Sequence, residues 1–322
     1  MKFKKLARVL CIGALAATIG AAAALSGCTI ETKHPRATIT IEFNGTTYEL
    51  EYTLYRNMYP VTVRHFIELA ESGFYNNTII HNYATSDWYG GGYSYITEDE
   101  ADEEHEIYAY ADSLDDSDAA ADYLQGADKE SEYISLSSSL TTSVYTNYSN
   151  YSGGDMTVSG DDAYYSLYGE FENNGHTVKN GQRGSDYGSI KMYYTAKNIT
   201  NLENSQVYVK TDNGEVLVRD YEYNSATSLF AIQTGESSAL STSSYASFAY
   251  LRNDDAVDTF DDLLEAVQDY IDDLGDEDSF TVTAEDVGID NQLADVYGGP
   301  STADYTITIE PIIIRSVKIT KY

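Results

Sequence analysis

The segment of residues 60–81 most constrains the fold of this chain, because it reads as the end of a strand, a helix and a return to sheet. Pro60 suits the first turn of a helix, where its missing N–H costs no hydrogen bond. Apolar residues then recur at helical spacing: Val63, Phe66, Ile67 and Ala70. Gly73 suits the left-handed position just after a helix. Arg64 and His65 lie off the apolar stripe, which predicts a solvated or capping His65 without a chemical role.

Alternating apolar residues predict two hairpins. Residues 37–54 alternate on either side of an Asn-Gly pair at positions 44–45, and such a pair favours a two-residue hairpin turn. Residues 206–223 contain two further alternating runs, which flank an Asn-Gly pair at positions 213–214. The segment 305–319 alternates as well and is predicted to supply the final strands. The chain is therefore expected to be mainly β.

A second long helix is predicted over residues 258–274. Its apolar residues fall on one face: Phe260, Leu263, Leu264, Val267, Tyr270 and Ile271. Acidic residues occupy the first turn, where the helix dipole favours negative charge, and Gly275 is expected to end the helix. The residues between this helix and the last strands are predicted to form an acidic linker.

Residues 94–163 differ in composition from the rest of the chain. They contain acidic runs, such as residues 98–104 and 115–118, followed by a tract rich in Ser, Thr and Tyr. This composition predicts a solvated insertion, although the many tyrosines argue against full disorder. The acidic runs raise the alternative of a calcium site, but none has the spacing of oxygen ligands and the central glycine of a calcium-binding loop. A charged, solvated surface is the better interpretation, and we expect no metal or cofactor.

The amino terminus has the layout of an export signal. Basic residues precede an apolar run of residues 9–25, which is short and rich in small residues. Residues 25–28, with the sequence Leu-Ser-Gly-Cys, resemble the lipobox of bacterial lipoproteins. This resemblance implies cleavage after residue 27, lipid attachment at Cys28 and a short tether over residues 28–36. The expected location is extracytoplasmic, on a bacterial cell membrane; the alternative is a simple transmembrane anchor.

The charge and cysteine content exclude several classes of function. The formal net charge is −33, and loss of the basic signal would make it more negative, which excludes nucleic acid as a partner. Only two cysteines occur, at positions 11 and 28, so cleavage after residue 27 would leave no disulfide. The five histidines are scattered without the spacing of metal ligands, and no nucleophile motif or phosphate-binding loop occurs.

Three blocks of sequence together resemble the cyclophilin-type peptidyl-prolyl cis-trans isomerases. The first block contains Pro60, Thr62, Val63, Phe66, Leu69, residues 73–75, His81 and residues 90–92. The second contains residues 169–171, Gly175, Gly184, Gly188, Ile190 and Met192. The third contains Ser225, Ala226, Ser228, Phe230, Ile232, Leu240, Tyr245 and Phe248. The resemblance implies a closed antiparallel β-barrel capped by two α-helices, built as one domain over residues 37–322 with insertions at about 94–163 and 199–223.

The resemblance also implies a chemistry that this chain lacks in part. A prolyl peptide bond has a rotational barrier of about 18–20 kcal/mol. The family aims an arginine at the prolyl nitrogen, where a charged hydrogen bond favours the twisted state. Asn82 stands at that position here, directly after His81. If the charged hydrogen bond contributes about 1.5–3 kcal/mol, its loss lowers the rate roughly ten- to more than a hundredfold. Isomerase activity is therefore expected to be weak or absent.

Most other positions of the family's proline pocket differ as well. Asp87 and Trp88 replace a phenylalanine and a methionine, and Ala231 replaces the phenylalanine of the pocket floor. Gly90 and Leu229 each replace a glutamine, and Tyr193 and Tyr194 stand where the family has small Ala and Asn residues, whereas Tyr245 matches the family. An unpaired carboxylate in an apolar wall would oppose proline binding. The aromatic residues either fill the vacated pocket or form a new surface for extended or proline-containing peptides.

Three functions remain open from the sequence. The first is an isomerase that acts on exported or surface polypeptides with weak activity. The second is a binding or chaperone-like module without catalysis, which has the same clients. The third is a surface lipoprotein whose acidic insertions bind cations or basic partners. In all three, the lipid at Cys28 connects the protein to the membrane.

Overall fold

The structure is a computed structural model of the full chain. It describes residues 34–102, 104, 107–114, 116–137, 139–140, 150–152, 155–157, 167–172, 175–178, 184–193, 206–210, 216–220, 225–238, 245–288 and 302–322. The signal sequence, Cys28 and most of the 28–36 tether lie outside the described residues. None of the described helices is long and apolar enough to cross a bilayer.

The described residues form four α-helices and sixteen strands. The helices are α1 (Pro60–Glu71), α2 (Ser117–Gly126), α3 (Glu130–Ser137) and α4 (Asp254–Leu274). The first eight strands are β1 (Arg36–Phe43), β2 (Thr46–Leu54), β3 (Thr78–Tyr83), β4 (Asp87–Ser94), β5 (Asn150–Ser152), β6 (Asp155–Thr157), β7 (Leu167–Tyr168) and β8 (Ile190–Tyr193). The others are β9 (Gln206–Lys210), β10 (Val216–Asp220), β11 (Ser225–Ala226), β12 (Phe230–Gln233), β13 (Tyr245–Leu251), β14 (Thr281–Gly288), β15 (Thr302–Thr308) and β16 (Ile313–Lys321).

Eight strands close into a barrel in the order β1-β16-β3-β4-β12-β8-β13-β2. All neighbouring pairs are antiparallel. The predicted closed antiparallel barrel is confirmed. The hairpin of β1 and β2 turns through Asn44 (φ 45°) and Gly45 (φ 70°), both in the left-handed region that this turn requires. The predicted hairpin of β9 and β10 also forms, while its turn lies outside the described residues.

Helices α1 and α4 pack against one apolar core shared with the barrel. Phe66 of α1 contacts Phe248, with ring centroids 5.0 Å apart, and Phe260 of α4 contacts Trp88 at 6.3 Å. Helix α4 begins four residues earlier than predicted, because the side chain of Asn253 accepts a hydrogen bond from the Ala256 N–H and caps it. It ends at Gly275, as predicted, with a φ of 74°.

A second apolar cluster was not predicted. Helix α2 and the hairpin of β14 and β15 enclose it, and together with α3 and residues 95–114 we call them the accessory module. Its buried residues from the module are Ile96, Tyr110, Ala120, Ala121, Tyr123, Leu124, Ala127, Ala284, Val287 and Ile307. The described part of the acidic insertion is thus folded, which corrects the expectation of a solvated segment. The expected acidic linker likewise contains β14, and β15 pairs with β14 instead of entering the barrel.

Candidate functional site

Five strands present a row of side chains on one face of the barrel wall. The register aligns Asn82 on β3 with Tyr89 on β4, Tyr89 with Ala231 on β12, Ala231 with Lys191 on β8, and Lys191 with Ser247 on β13. Paired residues of neighbouring strands project to the same side of a sheet. This row therefore collects the predicted positions Asn82 and Ala231 with a lysine that the sequence did not single out.

A buried ion pair occupies the centre of this face. The Lys191 Nζ lies 2.9 Å from the Asp87 Oδ1, and both side chains are 0% exposed. The Ser238 hydroxyl donates to both Asp87 carboxylate oxygens at 3.0 and 3.1 Å, and the Ser86 hydroxyl donates at 3.2 Å. Asp87 is therefore not the unpaired carboxylate that the sequence suggested, since a cation and two hydroxyls compensate its burial.

Lys191 is enclosed on a second side by Tyr245. Its Nζ lies 5.2 Å from the centroid of the Tyr245 ring, within the range of a cation–π contact. Burial lowers the pKa of Lys191 below its usual value, while the hydrogen bond from its Nζ to Asp87 opposes that shift. Ala231, which is fully buried, lies opposite Lys191 on the next strand and leaves room for its long side chain.

Asn82 is engaged by the accessory module. Its Oδ1 accepts a hydrogen bond of 3.0 Å from the backbone N–H of Thr306, on β15. The neighbouring His81 is 1% exposed, and its ring lies 4.7 Å from that of Tyr93 and 5.6 Å from that of Tyr305. Desolvation lowers the pKa of His81 to about 3, so this imidazole is neutral near pH 7. His81 is thus buried, whereas Asn82 is only partly buried.

Comparison with known proteins identifies the family. Residues 38–283 match the family described as cyclophilin type peptidyl-prolyl cis-trans isomerase/CLD. This chain is a member of that cyclophilin family. None of the curated protein sequences is significantly similar to it.

Solved cyclophilin structures are similar to this chain at low sequence identity. A cyclophilin type peptidyl-prolyl cis-trans isomerase of Cryptosporidium parvum is 13% identical, with a TM-score of 0.35, and the match covers 90% of this chain and 99% of that one. The structure of the same protein in the presence of the dipeptide Ala-Pro is 13% identical, with a TM-score of 0.36, and the match covers 89% of this chain and 99% of that one. The Mimivirus cyclophilin is 11% identical, with a TM-score of 0.30, and the match covers 73% of this chain and 80% of that one.

Three of the predicted pocket positions lie in the core of this cyclophilin. Trp88 is 1% exposed, and its ring packs 6.1 Å from Tyr83 as well as against Phe260, so it does not belong to an aromatic binding surface. A Cβ on Gly90 would lie 3.2 Å from both Ile80 and Phe230, and Leu229 is 6% exposed. The backbone of Tyr193 pairs with Tyr245 at the end of β8, while the Tyr193 side chain lies outside the described part.

His65 also differs from its predicted environment. It is fully buried, and its Nε2 lies 3.3 Å from the Tyr133 hydroxyl of α3. The sequence pattern placed it on a solvated face because the accessory module, which covers that face, could not be foreseen. Desolvation lowers the pKa of His65 to about 4, partly offset by the negative charge of Glu68.

Glu170 has a structural role that was not predicted, at the start of helix α1. The Glu170 carboxylate accepts a hydrogen bond of 2.9 Å from the Thr62 N–H, in the first turn of α1. Tyr59, at the start of this helix, provides no side-chain cap. The Glu170 carboxylate, from a distant segment, therefore accepts from one of the N–H groups that a helix start leaves without a partner within the helix. Desolvation raises the pKa of Glu170, which these hydrogen bonds partly offset. The only sequence signal was its place in the second family block.

Among the described residues, no group of three or more His, Cys, Asp or Glu side chains is arranged to hold a metal ion. The face presents the Asp87–Lys191 pair, which is 0% exposed, next to Asn82 and Tyr89, which are partly exposed.

Proposed function

We propose that this cyclophilin is an extracytoplasmic lipoprotein that binds exported polypeptides, proline-containing ones among them, with weak or no acceleration of prolyl isomerisation. One observation carries the catalytic part of the proposal. Asp87, at a position that the resemblance assigns to the family's proline pocket, is paired with Lys191, and both charged side chains are 0% exposed. A prolyl ring could enter only by displacing both charges, which would separate a buried pair at a cost of several kcal/mol.

The family's donor to the prolyl nitrogen is also missing. Asn82 carries no charge, and its Oδ1 is bonded to the Thr306 N–H. Binding to clients would therefore use the surface around the half-buried Tyr89, between Asn82 and Ala231, where an aromatic face suits an extended chain. The clients follow from family membership together with the export signal.

The catalytic proposal is tested by exchange NMR on a short Xaa-Pro peptide. The chain lacking residues 1–27 is expected to leave the cis–trans exchange rate near its uncatalysed value, because the pocket is closed. The Asn82→Arg variant should also remain inactive, since it restores the guanidinium without opening the pocket. An active cyclophilin serves as positive control. Rapid exchange with the unmodified chain would overturn the proposal.

Binding to a polypeptide client is measured separately, by fluorescence anisotropy. The client is a labelled protein that has been reduced and carboxymethylated.

The lipid anchor is tested in the full chain expressed in a bacterium. Cys28→Ser is expected to abolish incorporation of a labelled fatty acid and to move the protein from the membrane fraction to the soluble one, since two or more acyl chains give stable anchoring. Cys11→Ser is the matched control and should change neither readout. Membrane association that persists in Cys28→Ser would favour the transmembrane anchor instead.

A further inference from the structure

Two buried histidines of the barrel and its helix lie where the accessory module is packed, beside backbone hydrogen bonds such as that from the Ser94 N–H to the Ala127 carbonyl. Of the described histidines, His65 and His81 are the two that are fully buried, and each contacts a residue of the module. His65 lies on α1 and contacts Tyr133 of α3, while His81 lies on β3 and contacts Tyr305 of β15. The two contacts are made to separate parts of the chain, the insertion and the hairpin near the carboxyl terminus.

His81 is poorly suited to carry a charge where it lies. It lies between the rings of Tyr93 and Tyr305, and its buried Nδ1 has no hydrogen-bond partner among the residues that the structure describes. Ile79, two residues earlier, packs with Ile307 of the module in the same apolar cluster. A proton on Nδ1 would leave a charged donor in this apolar surrounding, which is costly unless the module moves away.

The groups around His65 would compensate a positive charge on its ring only in part. Glu68 lies on the same helix, and its charge favours protonation, but its carboxylate is already bonded to Arg64 at 3.2 Å. From the packed elements, Tyr133 presents a hydroxyl and Thr227 a backbone group. Lys129, the residue before α3, adds a positive charge, and its Nζ donates to the Phe74 carbonyl and pairs with Glu132.

A surface pocket of about 200 Å³ opens beside Tyr93. Its lining includes Leu124 of α2 and Val287 of β14, with Asp128 and Glu130 around the start of α3. Tyr93, whose ring packs against His81, therefore also borders a space that solvent can enter.

We propose that protonation of His65 and His81 releases the accessory module from the barrel and thereby uncovers Asn82 and the apolar surface around Ile79. The barrel itself stays folded, since its own strand pairs form a closed ring that does not include the module. This pH-dependent release does not depend on the proposed function. At low pH it would make the surface around Asn82 and Ile79 accessible.

The two histidine pKa values determine in which direction pH changes the docking of the accessory module. Burial lowers them to about 4 for His65 and about 3 for His81, whereas an exposed histidine titrates near 6.5. Below about pH 6.5 the released state binds more protons, so docking weakens as the pH falls. Between pH 7 and 4.5 each histidine should raise the release equilibrium by roughly a hundredfold. Glu310, after β15, has a raised pKa through burial and acts in the opposite direction.

Hydrogen exchange with mass spectrometry at pH 7 and pH 4.5, corrected for intrinsic rates, tests this pH-dependent release. Peptides covering α2 and β15 are expected to lose protection by tenfold or more at pH 4.5, while peptides covering β1 and β2 keep theirs. Uniform loss over all peptides would indicate global unfolding and overturn the proposal, as would unchanged protection of α2 and β15.

Substitutions show whether the histidines are responsible. His65→Gln keeps a polar partner for Tyr133, and His81→Phe keeps a ring between the two tyrosines. The double variant is expected to hold α2 and β15 protected at pH 4.5, and His81→Gln replaces His81→Phe if circular dichroism shows misfolding at pH 7. His176→Gln is the matched control, since His176 bonds the Met58 carbonyl and lies at neither contact. If the double variant opens in acid like the unmodified chain, the proposal is wrong.

Discussion

Replacing Lys191 with methionine should lower the free energy of unfolding by about 3–5 kcal/mol, the usual cost of removing one partner of a buried ion pair. Methionine fills most of the volume of lysine but leaves the buried Asp87 carboxylate without the positive charge that faces it, beside the hydroxyls of Ser86 and Ser238. Urea unfolding followed by circular dichroism at pH 7 measures the loss. Lys318→Met is the matched control, because Lys318 is an exposed strand residue and its loss should change stability by less than about 0.5 kcal/mol.

The double variant Asp87→Leu with Lys191→Met separates a lost pair from lost packing. If the pair is the cause, removing both charges should recover most of the stability, because apolar replacements of buried ion pairs are often neutral or stabilising. A double variant as unstable as Lys191→Met alone would contradict the ion-pair explanation. It would mean that the side-chain volumes at these two positions, instead of their charges, hold the face together.

The ion pair gives a physical reason for Asp87 and Ala231, two of the residues that the resemblance marks as departures from the family. The Lys191 side chain on β8 can be buried on this face only if the neighbouring residue is small, as Ala231 is. It also needs a carboxylate within hydrogen-bond distance, which Asp87 on β4 provides. Restoring one family residue alone would therefore leave the others in conflict with it. This is why we expect Asn82→Arg alone to leave the chain inactive.

The local elements of the fold could be predicted from sequence because their signals are local. The Asn-Gly turn at positions 44–45, the helix that follows Pro60 and the helix that Gly275 ends each depend on residues a few positions apart. The closed barrel needed more, since its strand order brings β16 between β1 and β3. Only the resemblance to a known family supplied that order.

The contacts that define the site could not be predicted, because they join distant residues. Asp87 and Lys191 are 104 positions apart, and a lysine between Ile190 and Met192 reads as an outward, solvated strand residue. The accessory module escaped notice for a related reason. Its buried side chains are mainly tyrosines and alanines among acidic residues, which give little hydrophobic periodicity, and Ala284, Val287 and Ile307 of its apolar cluster come from strands far along the chain.

Trp88→Ala should destabilise the chain by about 3–5 kcal/mol, which is the range for large-to-small changes of buried aromatic residues. The indole lies inside the barrel against Tyr83 and Phe260, so its removal leaves a cavity that the closed ring of strands cannot easily collapse to fill. Tyr108→Ala is the control, because Tyr108 is 42% exposed and its loss should cost far less. Thermal and urea unfolding measure both variants. A loss below about 1 kcal/mol would place Trp88 on a surface, where it could contact a client, and would reopen the aromatic binding surface that its burial now excludes.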